Sequence, residues 1–138
     1  MDMIVEFPGG SRVDAHFRLH IVRTDQPVQA GGDASAPTPF EIFLSSLGTC
    51  AGIYVLGFCR QRNLPTEGLR LVQKAQINQT TGLAEKITID IQLPPDFPEQ
   101  YHKAVIRAAD QCKVKKHFEA PPKVEVITSN ARSPAGFK

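Results

Sequence analysis

The sequence predicts a single α+β domain in the order β-β-α-β-β-α-β, with one long buried helix at its centre. Three observations carry this. Two pairs of strand-like runs are joined by tight turns, an uncharged stretch runs from Ile42 to Cys59, and an amphipathic run precedes a last strand-like segment. At 138 residues the chain can bury one sizeable core but not two, so residues 1–128 are read as one domain and residues 129–138 as a frayed tail.

The first strand covers Asp2 to Phe7, and Pro8-Gly9-Gly10 supplies a reversal. From Val13 to Val22 the pattern alternates, with Val13, Ala15, Phe17, Leu19 and Ile21 on one face and Asp14, His16, Arg18 and His20 on the other, which predicts a second half-buried strand. The Gly, Ala, Pro and Ser content of Gln26 to Thr38 marks a loop. Thr38-Pro39-Phe40-Glu41 is a capping box with proline at the first helical position, and Asn63-Leu64-Pro65 ends the helix it starts. Leu69 to Asn78 and Leu83 to Leu93 form a second hairpin about the turn QTTG. A second helix is expected from Pro98 to Phe118, with Tyr101, Val105, Ala108 and Cys112 on one face, and a last strand from Lys123 to Thr128.

Sixteen Lys and Arg against 14 Asp and Glu leave a formal charge of only +2, and the scattered basic residues do not make a nucleic-acid surface. The N-terminus has no signal-like apolar region, so a cytoplasmic setting is expected. The uncharged run is long enough to cross a membrane, but its Ser45, Ser46, Gly48, Thr49, Gly52 and Gly57 and the amphipathic strands after it argue for a core helix. A helix apolar all round must be covered all round, which one small sheet and one helix cannot do. A homodimer is therefore expected, with Gly48 and Gly52 permitting close approach.

Three cysteines without a C-x-x-C suggest neither a secreted disulfide framework nor a zinc motif. Cys50 and Cys59 fall on opposite faces of the central helix, roughly 13 Å apart along its axis, so they cannot pair while the helix exists. Any intramolecular pair must include Cys112, which either of the other two could meet. The alternative is that each cysteine is an inert small core residue, and Cys59, between Phe58 and Arg60, stays with that assignment. His117 near Cys112 lacks a third ligand, so no metal is expected.

Two segments carry a family resemblance. GGDASAPTPFEIFLSSLGTCAGIYV resembles the first signature of the OsmC/Ohr superfamily, and AADQCKVKKHFEAPPKVEV resembles its second. The resemblance implies an OsmC-like fold, an intertwined homodimer, and a thiol peroxidase that reduces organic hydroperoxides. It makes Cys50 the peroxidatic and Cys112 the resolving cysteine, with an external dithiol or lipoyl-type reductant and no bound cofactor. It also implies an arginine that lowers the thiol pKa and a glutamate that holds it. Arg18 is the candidate cation, with Arg23 in reserve, and Glu41 the candidate acid. The family glutamate falls on Phe40, however, so Glu41 can equally serve only as the helix cap. Lys113 stands where the family commonly has proline. The run Lys113, Lys115 and Lys116 could hold a thiolate, although charges at a helix end usually face solvent. Two other functions fit the same pattern: a non-catalytic binder of apolar or acyl ligands, and a different thiol chemistry at Cys50.

Overall fold

The structure, a computed structural model, describes residues 1–130. Three short strands open the chain: β1 (Ile4–Gly9), β2 (Arg12–Phe17) and β3 (His20–Thr24), paired antiparallel in the order β1-β2-β3. The long helix α1 (Pro39–Gln61) follows, then a hairpin of β4 (Arg70–Ile77) and β5 (Ala84–Gln92). Two short helices, α2 (His102–Ala109) and α3 (Lys113–Glu119), complete the α+β fold.

The expected strand from Val13 to Val22 is two strands. The chain reverses at Arg18 and Leu19, where Arg18 takes the left-handed conformation with φ 51°, and Phe17 pairs with His20. Alternation cannot reveal a two-residue reversal, because polar and apolar residues keep their order in the string while the face changes across the turn. Ala15 pairs with Val22, so Leu19 and Ile21 do not share the face of Val13 and Ala15; Leu19 is 98% exposed. Arg18 consequently occupies a turn and not a strand face.

The second hairpin follows its sequence signals. Asn78 Oδ1 accepts the amides of Thr80 and Thr81 at 2.8 and 3.0 Å, which closes the turn, and Ala75 pairs with Ile87 and Gln73 with Ile89.

The second helix departs from expectation. A 3-10 turn at Glu99–Tyr101 leads into α2, which stops at Ala109, and the chain turns at Asp110 and Gln111 before α3 begins. Cys112 is the N-cap of α3, in a non-helical conformation with φ −47° and ψ 120°, and its sulfur accepts the Lys115 amide at 3.4 Å. The thiol thus takes the part of a capping hydroxyl and allows a second helix to start where periodicity continued the first.

No strand forms at Lys123 to Thr128 within the single chain, and Val124, Val126 and Ile127 are exposed, Val126 at 92%. An extended segment is a strand only when an edge pairs with it. The expected frayed tail lies outside the described residues from position 131 onward.

The core is small and lies on one side of α1. Val55, Phe58 and Cys59 pack with Phe97 and Val105, while Leu47 and Ala51 pack with Cys112 under Ile87 and Ile89 of β5. The principal contacts of α1 are with α2, α3 and β4. Although α1 is long and apolar enough to cross a membrane, its buried stripe packs as a core helix does. One chain does not cover α1 all round: Phe40, Phe43, Ile53 and Tyr54 remain exposed.

Candidate active site

The site begins with the loop that delivers the chain to α1. Asp25 is buried and its carboxylate accepts the Ser35 hydroxyl at 2.6 Å and the amides of Ser35, Gln26 and Asp33 at 3.0, 2.8 and 3.2 Å. The Ser35 hydroxyl and amide lead in holding its pKa down at about 2, from the ordinary 3.8. Gly32 fits against this turn because a Cβ there would meet the Gln26 carbonyl oxygen at 1.9 Å. Sequence reading passed over Asp25, although an aspartate opening a Gly- and Ser-rich loop is a recognisable anchor for its own backbone.

The capping box then fixes the start of α1. Thr38 Oγ1 accepts the Glu41 amide at 3.2 Å, and Glu41 Oε2 accepts the Thr38 amide and hydroxyl at 2.7 and 3.0 Å. The Thr38 amide leads in lowering the Glu41 pKa. Both members of the capping pair are therefore engaged with each other, and the structure assigns the Glu41 carboxylate to the helix cap.

Three turns into α1, Cys50 lies at the margin of the buried stripe defined by Leu47, Ala51 and Val55. The break before α3 brings Cys112 to the same place. Cys112 is fully buried between Leu47 and Ala51 with Cys50 packed against the group, and the Cys112 thiol donates to the Leu47 carbonyl at 3.8 Å. All three cysteines are free thiols.

The two neighbours titrate in opposite directions. Burial by itself raises the Cys50 thiol, but the amides of Val114 and Lys113, the Cys112 thiol and the Lys113 charge outweigh it and hold Cys50 below the ordinary 9.0. Cys112 is raised, first by burial and then by the charge and hydrogen bond of Cys50, against the Lys115 amide that favours its thiolate. Cys59, on the opposite face of α1, is raised by burial alone and belongs to the other core cluster.

Every group that lowers Cys50 comes from residues 112–114. Arg18, in the β2–β3 turn, and Arg23, exposed on β3, are not among them. Lys113, which the sequence offered as one of a solvated run, is the one cation that lowers the Cys50 pKa within the single chain; the break in the helix that places Lys113 and Val114 at the start of α3 was the element missed. Lys115 completes the local frame through an ion pair with Asp110, which closes over the turn containing Cys112.

Beside Cys112 lies a groove of about 700 Å³ between β5, α2 and α3. Ile87, Ile89 and Ile91 form one wall, Val105 and Ala109 another, and the Lys115–Asp110 pair also lines it; Cys112 lines it and Cys50 does not. Among the described residues, no three His, Cys, Asp or Glu side chains cluster closely enough to hold a metal ion.

Comparison with known proteins gives a consistent result. Residues 32–127 match a family described as OsmC-like protein. No curated protein matches the sequence. Among solved structures, a Psychrobacter arcticus 273-4 protein, proposed there to be osmotic-stress induced and part of a detoxification response, superposes with a TM-score of 0.71 at 20% identity, covering 83% of this chain and 85% of that one. An organic hydroperoxide resistance protein OsmC from Legionella pneumophila gives 0.56 at 15% identity, over 86% and 89%. A Vibrio cholerae OsmC-like protein of unknown function gives 0.62 at 11% identity, over 83% and 90%. At these identities the structural likeness establishes the fold.

Proposed function

The chain belongs to the OsmC-like protein family, and from that premise we propose that it is a thiol-dependent peroxidase that reduces organic hydroperoxides through Cys50 and Cys112. The observation that carries this reading is the packing of Cys50 against the buried Cys112 where α1 meets the start of α3, both of them free thiols, with Cys50 held below and Cys112 above the ordinary thiol range. The Legionella relative's description as an organic hydroperoxide resistance protein supports it.

The Cys50 thiolate attacks one oxygen of the hydroperoxide. The O–O bond breaks, the alkoxide takes a proton and leaves as the alcohol, and Cys50 becomes a sulfenic acid. Cys112 attacks that sulfur and expels water, forming the Cys50–Cys112 disulfide. An external dithiol then returns both thiols by exchange and is itself oxidised to a disulfide. The apolar side chains around the pair suit an organic substrate, and a reducing cytoplasm suits the resting thiols.

We further read the active form as a homodimer. One chain exposes 11135 Å², against roughly 7,100 Å² expected for a compact monomer of its mass. The uncovered apolar residues are concentrated on α1 (Ile53, Tyr54), β1 (Val5, Phe7) and the segment Val124 to Ile127, where a second copy would cover them. Arg18 is a candidate for the thiol only across such an interface.

The test is oxidation by cumene hydroperoxide followed by peptide mapping. The expected product is the Cys50–Cys112 disulfide, and Cys50→Ser abolishes peroxide consumption. Consumption by Cys50→Ser at the unmodified rate overturns the assignment of the nucleophile.

A further inference from the structure

We propose that the external dithiol enters the groove between β5, α2 and α3 and opens the disulfide by attacking Cys112, so that Cys50 is the sulfur released. The inference rests on the peroxidase reading above and adds to it the route and point of attack of the reductant.

Two independent observations carry it. The first is geometric: Cys112 lines the groove of about 700 Å³ and Cys50 does not, so a molecule held against Ile87, Ile89 and Val105 meets Cys112 first. A dithiol on an apolar chain fits such walls. The second is the chemistry of exchange. The sulfur that leaves fastest is the one whose thiolate is better stabilised. Attack on Cys112 expels Cys50 into the amides of Lys113 and Val114 beside the Lys113 charge, whereas attack on Cys50 expels Cys112 into an apolar site that raises its pKa. Exposure acts the other way, since Cys50 is half-buried and Cys112 fully buried. Attack at Cys112 therefore requires Leu47 and Ala51, which pack on it and also line the groove, to part enough to admit one sulfur.

In electron terms, the reductant thiolate forms a bond to Cys112 Sγ while the Cys50–Cys112 bond breaks and its electron pair stays on Cys50. The second reductant thiol, as its thiolate, then attacks the reductant sulfur of the mixed disulfide. Cys112 is released and takes a proton, and the reductant departs as a cyclic disulfide.

The experiment uses the full-length protein oxidised separately with cumene hydroperoxide and with diamide. The monothiol 2-mercaptoethanol is added, the reaction is quenched with acid after a short interval, free thiols are alkylated, and the peptides are mapped. The expected result is the mercaptoethanol adduct on Cys112 and the alkyl group on Cys50, in at least about tenfold excess over the converse. An adduct predominantly on Cys50 overturns the inference. In a second arm, Ile106→Glu places a charge on the groove wall. It should slow reduction by dihydrolipoamide about tenfold relative to oxidation by peroxide in the same protein, and equal effects on both steps would refute the groove as the route. If diamide forms the disulfide and cumene hydroperoxide does not, the peroxidase reading fails while the adduct position still decides this one. If neither forms it, the two-cysteine cycle itself is overturned.

Discussion

The sulfur of Cys112 lies 3.8 Å from the carbonyl oxygen of Leu47, three residues before Cys50 on the same helix. One S–H cannot serve two acceptors, so the Cys112 proton points to Leu47 while Cys50 is a thiol and has a better acceptor once Cys50 ionises. The same sulfur receives the Lys115 amide at 3.4 Å, so one residue joins the cap of α3 to the acidity of Cys50.

Substituting Cys112 separates these two roles. Cys112→Ala removes both the cap acceptor and the S–H donor, and it should lower stability by about 1 kcal/mol and raise the Cys50 pKa. Cys112→Ser retains a capping oxygen and a donor, so it should recover most of the stability and part of the acidity, yet form no disulfide. Thermal melts together with thiolate absorbance against pH measure both effects. Equal Cys50 titrations in the two variants would remove the S–H from the account.

Within one chain the cation that lowers the Cys50 pKa is Lys113, and its weight against Arg18 can be measured. Lys113→Met should raise the Cys50 pKa and slow peroxide oxidation at pH 7 by less than about tenfold, because an exposed lysine is screened by solvent. Two backbone amides remain in place and keep the thiol more acidic than Cys59. Arg18→Met should have the smaller effect; a larger one would mean that an arginine reaches the thiol across the dimer interface.

The pH dependence of alkylation follows from the same directions. Cys50 lies below 9.0, and Cys59 and Cys112 lie above it. Iodoacetamide should therefore modify Cys50 first, with a rate that rises with pH to a midpoint below 9.0, and the other two only when the pH is raised further or the protein unfolds. Initial labelling of Cys59 would contradict the assignment.

Asp25 makes a separate prediction about acid stability. Its folded pKa of about 2 is below the ordinary 3.8, so the ionised carboxylate stabilises the fold. That contribution is fully present above about pH 4 and is lost as the pH falls through 2. Asp25→Ala strands the amides of Gln26, Asp33 and Ser35 and should lower Tm by about 5 °C or more, with new proteolytic cleavage between Gln26 and Thr38. The Tm difference between the two proteins should shrink as the pH is lowered from 4 to 2.

Much of this arrangement was legible in the string of residues, and the exceptions have physical causes. The Thr38-to-Glu41 capping box, the Asn78 turn and the position of Cys50 on α1 depend on contacts within a few residues, which local chemistry specifies. Arg18 was misplaced because alternation does not register a two-residue reversal. The break before Cys112 was missed because the capping group is a thiol, which is outside the usual Ser, Thr, Asp and Asn signals. Lys123 to Thr128 has the alternation of a strand, but pairing is a property of the available edge and not of the segment.

Close packing at Gly48 gives the last prediction. A Cβ on Gly48 would stand 2.9 Å from Gln73 Oε1, whose amide Nε2 donates to the Leu44 carbonyl at 3.0 Å. Oε1 itself is buried without a hydrogen-bond partner, so it has no competing interaction to hold it, but the side chain cannot retreat without breaking the bond to Leu44. Gly48→Ala therefore sets the gain in helix propensity, about 1 kcal/mol, against an overpacking cost of about 1–3 kcal/mol at the α1–β4 contact. The net result should be neutral to destabilising, in contrast to Gly52→Ala, where no atom lies within 4 Å within the chain. Gln73→Ala should convert Gly48→Ala from a loss into a gain, and denaturant melts of the four proteins give the coupling. If the two substitutions add independently, the contact between Gly48 and Gln73 does not set the distance between α1 and β4.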